Sequence, residues 1–255
     1  MDVVVDALSV AYGSRVAVDG VSLTLPAGRV VAIVGPNGCG KSTLLRAMAR
    51  LHRPAAGRVL VGGADVWTLR PRQAAQRFAL LPQSPQAPEG ITVSGLVRYG
   101  RHPHQGLFRQ WSRDDERIAA EAMSSAGVED LADRRLDHLS GGQRQRCWLA
   151  MVLAQQAPVL LLDEPTSALD LGHQIEVLEL VRHLAEAGRT VVAVLHDLSA
   201  AARYADTVVA MRNGGVVACG PPGKVVDAGL VRTLYDVEAH ILRAPGAGAT
   251  VVVPA

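Results

Sequence analysis

Apolar residues in this chain fall mostly in short solid runs. Arg29–Val34, Val159–Asp163, Arg189–Leu195 and Asp206–Met211 each carry several consecutive aliphatic residues over the length of one strand. Arg29–Val34 predicts a buried strand, and the other three runs predict strands. Val3–Tyr12 and Arg15–Leu25 predict a pair of strands broken at Gly13 and Ser14, and Pro26–Gly28 is a turn. Gly57–Val61 predicts another strand, and the apolar stretch Phe78–Pro82 ends at Gln83. Ser42–Leu51 has no internal Gly or Pro and predicts a helix. From Thr92 to about Gly127 the pattern turns helical, with Glu116–Ala126 rich in Ala. Further helices are expected over Gln143–Ala154, Gly172–Ala187, Ser199–Tyr204 and Gly223–Tyr235. Asn213 and Gly214 predict a hairpin from Met211 to Val216–Cys219. Ala244–Ala249 reads as a mobile linker before a short C-terminal strand. The expectation is one α/β unit over residues 1–243, with a helical insertion at about 90–155 and a tail over 244–255.

Chemistry enters directly after the Arg29–Val34 strand. Gly35, Pro36, Asn37, Gly38, Cys39, Gly40, Lys41, Ser42 and Thr43 complete G-x-x-x-x-G-K-[ST], the phosphate-binding loop. A buried strand precedes it and a helix follows, as the motif requires. Gly35, Gly38 and Gly40 let the backbone N–H groups turn inward around a phosphate. The helix start adds partial positive charge at the same point. Lys41 is expected to reach the β/γ-phosphates and the Ser42 hydroxyl to bind Mg²⁺.

Leu139, Ser140, Gly141, Gly142 and Gln143 follow downstream, and Val159–Asp163 ends in a carboxylate with Glu164 next to it. Here the chain resembles the ATP-binding cassette (ABC) ATPases over nearly its whole length. Leu139–Gln143 matches the signature motif, Asp163 the Walker B aspartate and Glu164 the catalytic glutamate. Ser167–Asp170 matches the D-loop, His196 the switch histidine, Gln83 the Q-loop glutamine and Tyr12 the aromatic that stacks on adenine. The resemblance implies a P-loop NTPase of the ABC-ATPase fold: a RecA-like core, an antiparallel β subdomain, and an α-helical subdomain carrying the signature motif.

The resemblance also implies an ATP hydrolase. Lys41 and the loop amides neutralise phosphate charge. Ser42 and Gln83 bind Mg²⁺, with Asp163 holding the metal's water shell. Glu164 acts as general base on the attacking water, and His196 contacts the γ-phosphate. Ser140, Gly141, Gly142 and Gln143 complete the ATP site of a partner subunit, so two cassettes meet head to tail around two ATP molecules. Ser140 is equally an N-cap for the helix that follows.

Composition narrows the classes. The net charge of +2 gives no field for nucleic acid, and 4% aromatic content leaves little for base stacking. The three cysteines lack CxxC spacing and suggest a reducing compartment. Among them Cys39 is expected to be the reactive thiol, because a helix N-terminus and Lys41 favour thiolate. His102 and His104 flank Pro103 with no third ligand nearby and read as a solvated loop. No run reaches the roughly 18 apolar residues of a membrane span, and Met1–Asp6 lacks the basic start of a secretion signal. A transport pore would then be another polypeptide.

The segment Arg98–Asp115, with Leu169–Gln174, resembles ATPases of bacterial importers of ferric siderophores, haem and cobalamin. That resemblance implies a peripheral protein on the cytoplasmic face of the cell membrane. It would work as a homodimer beneath integral permease subunits, with a substrate-binding protein engaged indirectly. Import of an iron complex is the leading expectation. Haem, cobalamin or other transport, export included, and a non-transport ABC ATPase remain the alternatives. Gln83 to about His104 is the stretch expected to couple to the permease through a groove, and Ile91, Val93 and Leu96 read equally as lining that groove or as packing within the helical subdomain.

Overall fold

The computed structural model describes residues 1–106, 111–167, 169–243 and 250–255. In chain order the elements are β1 (Val3–Tyr12), β2 (Arg15–Leu25), β3 (Val30–Val34), α1 (Lys41–Met48), β4 (Ala56–Val61), β5 (Ala64–Asp65), α2 (Pro71–Ala75) and β6 (Phe78–Leu81). Then come α3 (Val93–Tyr99), α4 (Arg113–Ser125), α5 (Gly141–Ala154), β7 (Val159–Asp163), α6 (Leu171–Glu186), β8 (Thr190–Val194) and α7 (Leu198–Tyr204). The chain closes with β9 (Thr207–Arg212), β10 (Gly215–Gly220), α8 (Pro222–Val225), α9 (Ala228–Tyr235), β11 (Ala239–Arg243) and β12 (Thr250–Pro254).

The solid apolar runs become the middle of a six-stranded sheet ordered β10-β9-β3-β8-β7-β6, parallel except at β10. Every residue of β3, β7 and β8 is buried. Strand alternation divides them between two cores. Val30, Ala32 and Val34 face one cluster with Leu160, Leu162, Val191 and Ala193, covered by α5, α6, α7 and α9. Val31 and Ile33 face the other, with Leu161, Val192 and Val194, covered by α1 and a four-stranded antiparallel sheet ordered β2-β1-β4-β5. This two-sided burial explains why these strands read as continuous apolar runs. Each fully buried Val or Leu contributes about 1.5–3 kcal/mol, so the sheet is a stiff base for the loops at its C-terminal edge.

Between β6 and β7 the chain is helical, in pieces. α3 is capped by the Thr92 hydroxyl, which accepts from the Gly95 N–H at 3.1 Å. α4 starts with a reciprocal box, the Ser112 hydroxyl accepting from the Asp115 N–H and the Asp115 carboxylate from the Ser112 N–H, both at 3.1 Å. The helical stretch expected from Thr92 to about Gly127 is interrupted at Gly100 and at a single turn over His102–His104. Residues 107–110 lie outside the described residues, as does the expected linker over 244–249. The expected helix over Gly223–Tyr235 is two, because Asp227 caps α9 by accepting from the Leu230 N–H at 2.6 Å. β5, α2 and β11 were not anticipated from the sequence. β12 is the expected C-terminal strand. It pairs with β11 and docks on α7, where the Val252 N–H donates to the Ser199 hydroxyl at 3.1 Å.

A buried ion pair locks α4 in place. Arg101 Nε donates to Asp115 Oδ1 at 2.9 Å, with the two side chains 5% and 1% exposed. Burial pushes the Asp115 carboxyl up, but hydrogen bonds from Ser112 and Arg101 outweigh it and bring it down to about 2. An unfolded Asp titrates near 3.9. The pair's contribution is therefore complete above about pH 4 and is lost as pH falls towards 2. Asp115→Asn should cost about 3–5 kcal/mol at neutral pH, because it strands a buried guanidinium. It should also flatten the acid limb of stability between pH 4 and 2. Urea unfolding across that range checks both, and a cost below about 1 kcal/mol would contradict the assignment.

Candidate functional site

The loop between β3 and α1 folds back along the sheet edge. Gly40 has φ 106°, and a Cβ there would lie 2.2 Å from the Ala17 carbonyl of β2. Gly35 has φ 147°, and a Cβ there would lie 2.1 Å from the Met211 carbonyl. Neither position tolerates a side chain, so the loop is wedged between β2 and the end of β9. Lys41 is buried, and its Nζ donates to the carbonyls of Gly35 at 2.8 Å and Pro36 at 2.9 Å. The ammonium thus sits inside the ring of the loop.

A cavity of about 440 Å³ opens above this loop. Tyr12, Asn37, Gly38, Gly40, Lys41, Ser42, Thr43, Gln83 and Glu164 line it. Arg15 and Ala17 of β2 line it too, and sequence reasoning missed both. The available signal was their position just past the Gly13-Ser14 turn that follows Tyr12. Asp163 sits behind Ser42, whose hydroxyl donates to Asp163 Oδ1 at 2.9 Å. Asp163 is 1% exposed, and burial first, then the charge of Glu164, holds its carboxyl above the usual range against hydrogen bonding from Ser42.

Glu164 occupies a left-handed backbone conformation, φ 54°, directly before Pro165. Few non-Gly residues adopt it. The Ser167 N–H and hydroxyl hold the Glu164 carbonyl at 3.1 and 2.9 Å. The turn projects the carboxylate between two partners. Gln83 Nε2 donates to Oε2 at 2.8 Å, and His196 Nε2 lies 2.7 Å from Oε1. The loops after β6, β7 and β8 therefore converge on one carboxylate beside the phosphate-binding loop.

The Ser42 hydroxyl, the Asp163 carboxylate and the Gln83 amide present oxygen donors, the set a hard cation such as Mg²⁺ takes. A cation there would also relieve the buried Asp163 charge, so the residues present fit the ion. Among the described residues no cluster of three or more His, Cys, Asp or Glu could hold a metal. His104 Nε2 lies 2.8 Å from the Gln155 carbonyl, a structural contact for a residue expected in a solvated loop.

Ser140, Gly141, Gly142 and Gln143 are not brought to this cavity. They form the start of α5, where the Ser140 hydroxyl accepts from the Gln143 N–H at 3.2 Å and Gln143 Oε1 accepts from the Ser140 N–H at 3.1 Å. Gly141 lines a separate groove of about 370 Å³ with Gln83, Pro85, Ala87, Pro88, Glu89, Trp148 and Ser167. Of the two readings for these side chains the structure takes packing: Val93 and Leu96 are buried in the core between α3 and α5, and Ile91 packs against the same core. They face inward because α3 has no other apolar face with which to dock. Proline-rich 85–88 forms the groove wall.

The expectation for Cys39 is overturned. Its side chain points down into the core, 5% exposed, and burial raises its thiol pKa against the lowering effect of Lys41. Cys147 is buried and pushed up to about 11. Cys219 is exposed on the edge strand β10. Maleimide should therefore label Cys219 first in the folded protein and leave ATPase activity intact. Cys39 and Cys147 should react only on unfolding. Peptide mapping checks this, and native labelling of Cys39 with loss of activity would contradict it.

Comparison with known proteins follows the same lines. A family model described as ABC transporter matches residues 18–167. The chain is 46% identical over 248 residues to the ferric enterobactin transport ATP-binding protein FepC of Escherichia coli, covering 97% of this chain and 92% of that protein. It is 48% identical over 247 residues to the hemin import ATP-binding protein HmuV of Streptomyces coelicolor, covering 97% and 88%. Among solved structures it is similar to the dimeric post-hydrolysis state of the ATP-binding cassette MJ0796 bound to ADP and Pi. That match has a TM-score of 0.79 and 28% identity, over 86% of this chain and 98% of that one.

Proposed function

This chain belongs to the ABC transporter family, and we propose that it is the ATP-hydrolysing subunit powering import of an iron complex, a ferric siderophore, through a separate membrane permease. What supports the substrate class is its similarity to FepC over nearly the full length of both chains. Similarity to HmuV favours haem import as the second reading. The substrate does not touch this subunit in either case, so the permease decides between them. Among the described residues no helix is long and apolar enough to cross a membrane. The subunit would lie on the cytoplasmic face, attached to permease subunits that fill the groove walled by Pro85 and Pro88. Isolation of the native complex and identification of its membrane subunits tests this. A permease that transports siderophores supports the reading, and a haem permease, an exporter or no membrane subunit overturns it.

The observation that carries the ATPase reading is the convergence of Gln83, Glu164 and His196 beside the Lys41 loop. ATP phosphates would lie across the amides of Gly38, Gly40, Lys41, Ser42 and Thr43, and adenine against Tyr12. Ser42 and Gln83 would hold Mg²⁺ directly, and Asp163 through water. When bound, Mg²⁺ supplies charge neutralisation on the phosphate oxygens. Glu164 would accept the proton of the attacking water, with Gln83 holding one of its oxygens. His196 would release Glu164 to meet the γ-phosphate.

Ser140 to Gln143 lie outside the cavity, so one chain offers an incomplete site. The exposed start of α5 presents N–H groups suited to an anion. A second copy packed head to tail would bring this helix start over the γ-phosphate, and Ser167–Asp170 would cross the same interface. In this reading residues 1–243 form one ATPase unit, with the helical subdomain of about 90–155 inserted between β6 and β7.

A further inference from the structure

We propose that His52 is a positioning residue for the nucleobase, holding the Tyr12 ring in fixed relation to the phosphate-binding loop; this rests on the reading of Tyr12 as the surface that takes adenine. Tyr12 is the last residue of β1, next to the Gly13-Ser14 turn, and is 45% exposed. A tyrosine at the tip of a hairpin has rotameric freedom that binding would have to remove. Here one neighbour removes it in advance. The His52 ring packs on the Tyr12 ring with centroids 4.4 Å apart and planes at 49°. Aromatic pairs are attractive in this range. His52 Nε2 lies 3.3 Å from the Ala11 carbonyl. A carbonyl only accepts, so Nε2 carries the proton and the imidazole is pinned to the residue beside Tyr12.

The position of His52 is set by the same helix that begins at the phosphate loop. α1 starts at Lys41 and ends in a turn with Arg50 in the left-handed conformation, φ 60°. The Arg50 N–H donates to the Ala47 carbonyl at 3.1 Å and the Leu51 N–H to the Arg46 carbonyl at 2.8 Å. This pairing is the double bond of a Schellman turn. The His52 N–H also reaches the Arg46 carbonyl, at 3.3 Å, and the Ala55 N–H ties the following stretch to the Ser9 carbonyl of β1 at 2.8 Å. Helix, turn and imidazole thus form one rigid arm from Lys41 to Tyr12. The arm fixes the distance between the phosphate site and the base site.

Binding of ATP and of inorganic tripolyphosphate to the full chain separates the two ends of this arm. His52→Ala should weaken ATP about 3- to 10-fold, the size of one aromatic contact, and leave tripolyphosphate unchanged. His52→Phe, which keeps a ring against Tyr12, should restore most of the ATP affinity. Tyr12→Ala should weaken ATP at least as much, and His52→Ala should add little on top of it. Unchanged ATP affinity in His52→Ala, with Tyr12→Ala impaired, would overturn the role of His52 alone. Unchanged ATP affinity in Tyr12→Ala would overturn the base-platform reading and this inference together. Equal loss of ATP and tripolyphosphate in both His52 variants would also overturn it, since that marks damage to the loop.

Discussion

Glu164→Gln is expected to lower ATP turnover by about 10²- to 10⁴-fold, the contribution of a positioned general base, while ATP still binds. The reason lies in where the carboxylate stands. Among the described residues the Glu164 carboxylate makes no hydrogen bond to the phosphate-binding loop; its oxygens meet Gln83 at 2.8 Å and His196 at 2.7 Å. An amide keeps the shape and one acceptor oxygen but cannot take a proton from water. The phosphate cradle of Lys41 and the loop amides is untouched. With binding intact and hydrolysis stopped, the ATP-bound dimer should accumulate. Gel filtration with and without ATP should then show a shift to twice the mass in the variant. Turnover within about tenfold of wild type would remove Glu164 from the role of base.

Lys41→Ala is expected to fail earlier, at binding. Lys41 is buried, and its ammonium is held by two carbonyls of its own loop. It supplies a full positive charge inside the ring of the loop. A hydrogen bond to a charged group contributes about 1.5–3 kcal/mol, so ATP affinity should fall about 10- to 100-fold. The same variant loses the contacts that brace the Gly35 and Pro36 carbonyls, so loop order should fall with it. Isothermal titration with ATP separates the two variants: Glu164→Gln binds without turning over, and Lys41→Ala does not bind in the same range. Undiminished ATP affinity in Lys41→Ala would contradict a ground-state role for the lysine.

Much of the fold was legible because burial on both faces leaves a plain signature. β3, β7 and β8 are buried at every residue and appear in the sequence as uninterrupted aliphatic runs. α2 and β11 were not legible for the converse reason. Each buries a single residue, Ala74 and Ala239, so neither imposes a pattern on its sequence. β11 exists because β12 pairs with it, a contact that local sequence does not announce. The break between α8 and α9 depended on one capping side chain, Asp227, inside a run that otherwise reads as helix.

The site divided along the same line. Motif positions named the candidate residues, and the structure gathers Tyr12, Lys41, Ser42, Gln83 and Glu164 around one cavity. Side-chain direction was not in the motif. Cys39 lies in the loop between β3 and α1, but its thiol faces the core, so burial prevails over the helix terminus and Lys41. Apolar character alone left Val93 and Leu96 open between a docking wall and packing, and the structure makes them the inward face of α3. His52 is nowhere in the motif set. Only the turn at Arg50 brings it to Tyr12.

ATP hydrolysis at this site should drive uptake of an iron complex in cells where this chain is the only ATPase for its permease. Uptake of a radioiron-labelled ferric siderophore is measured with the wild-type chain and with Glu164→Gln at equal expression. Accumulation should be saturable with the wild type and no greater than background with the variant. Equal accumulation in both, or wild-type accumulation of haem and not of the siderophore, would contradict that expectation.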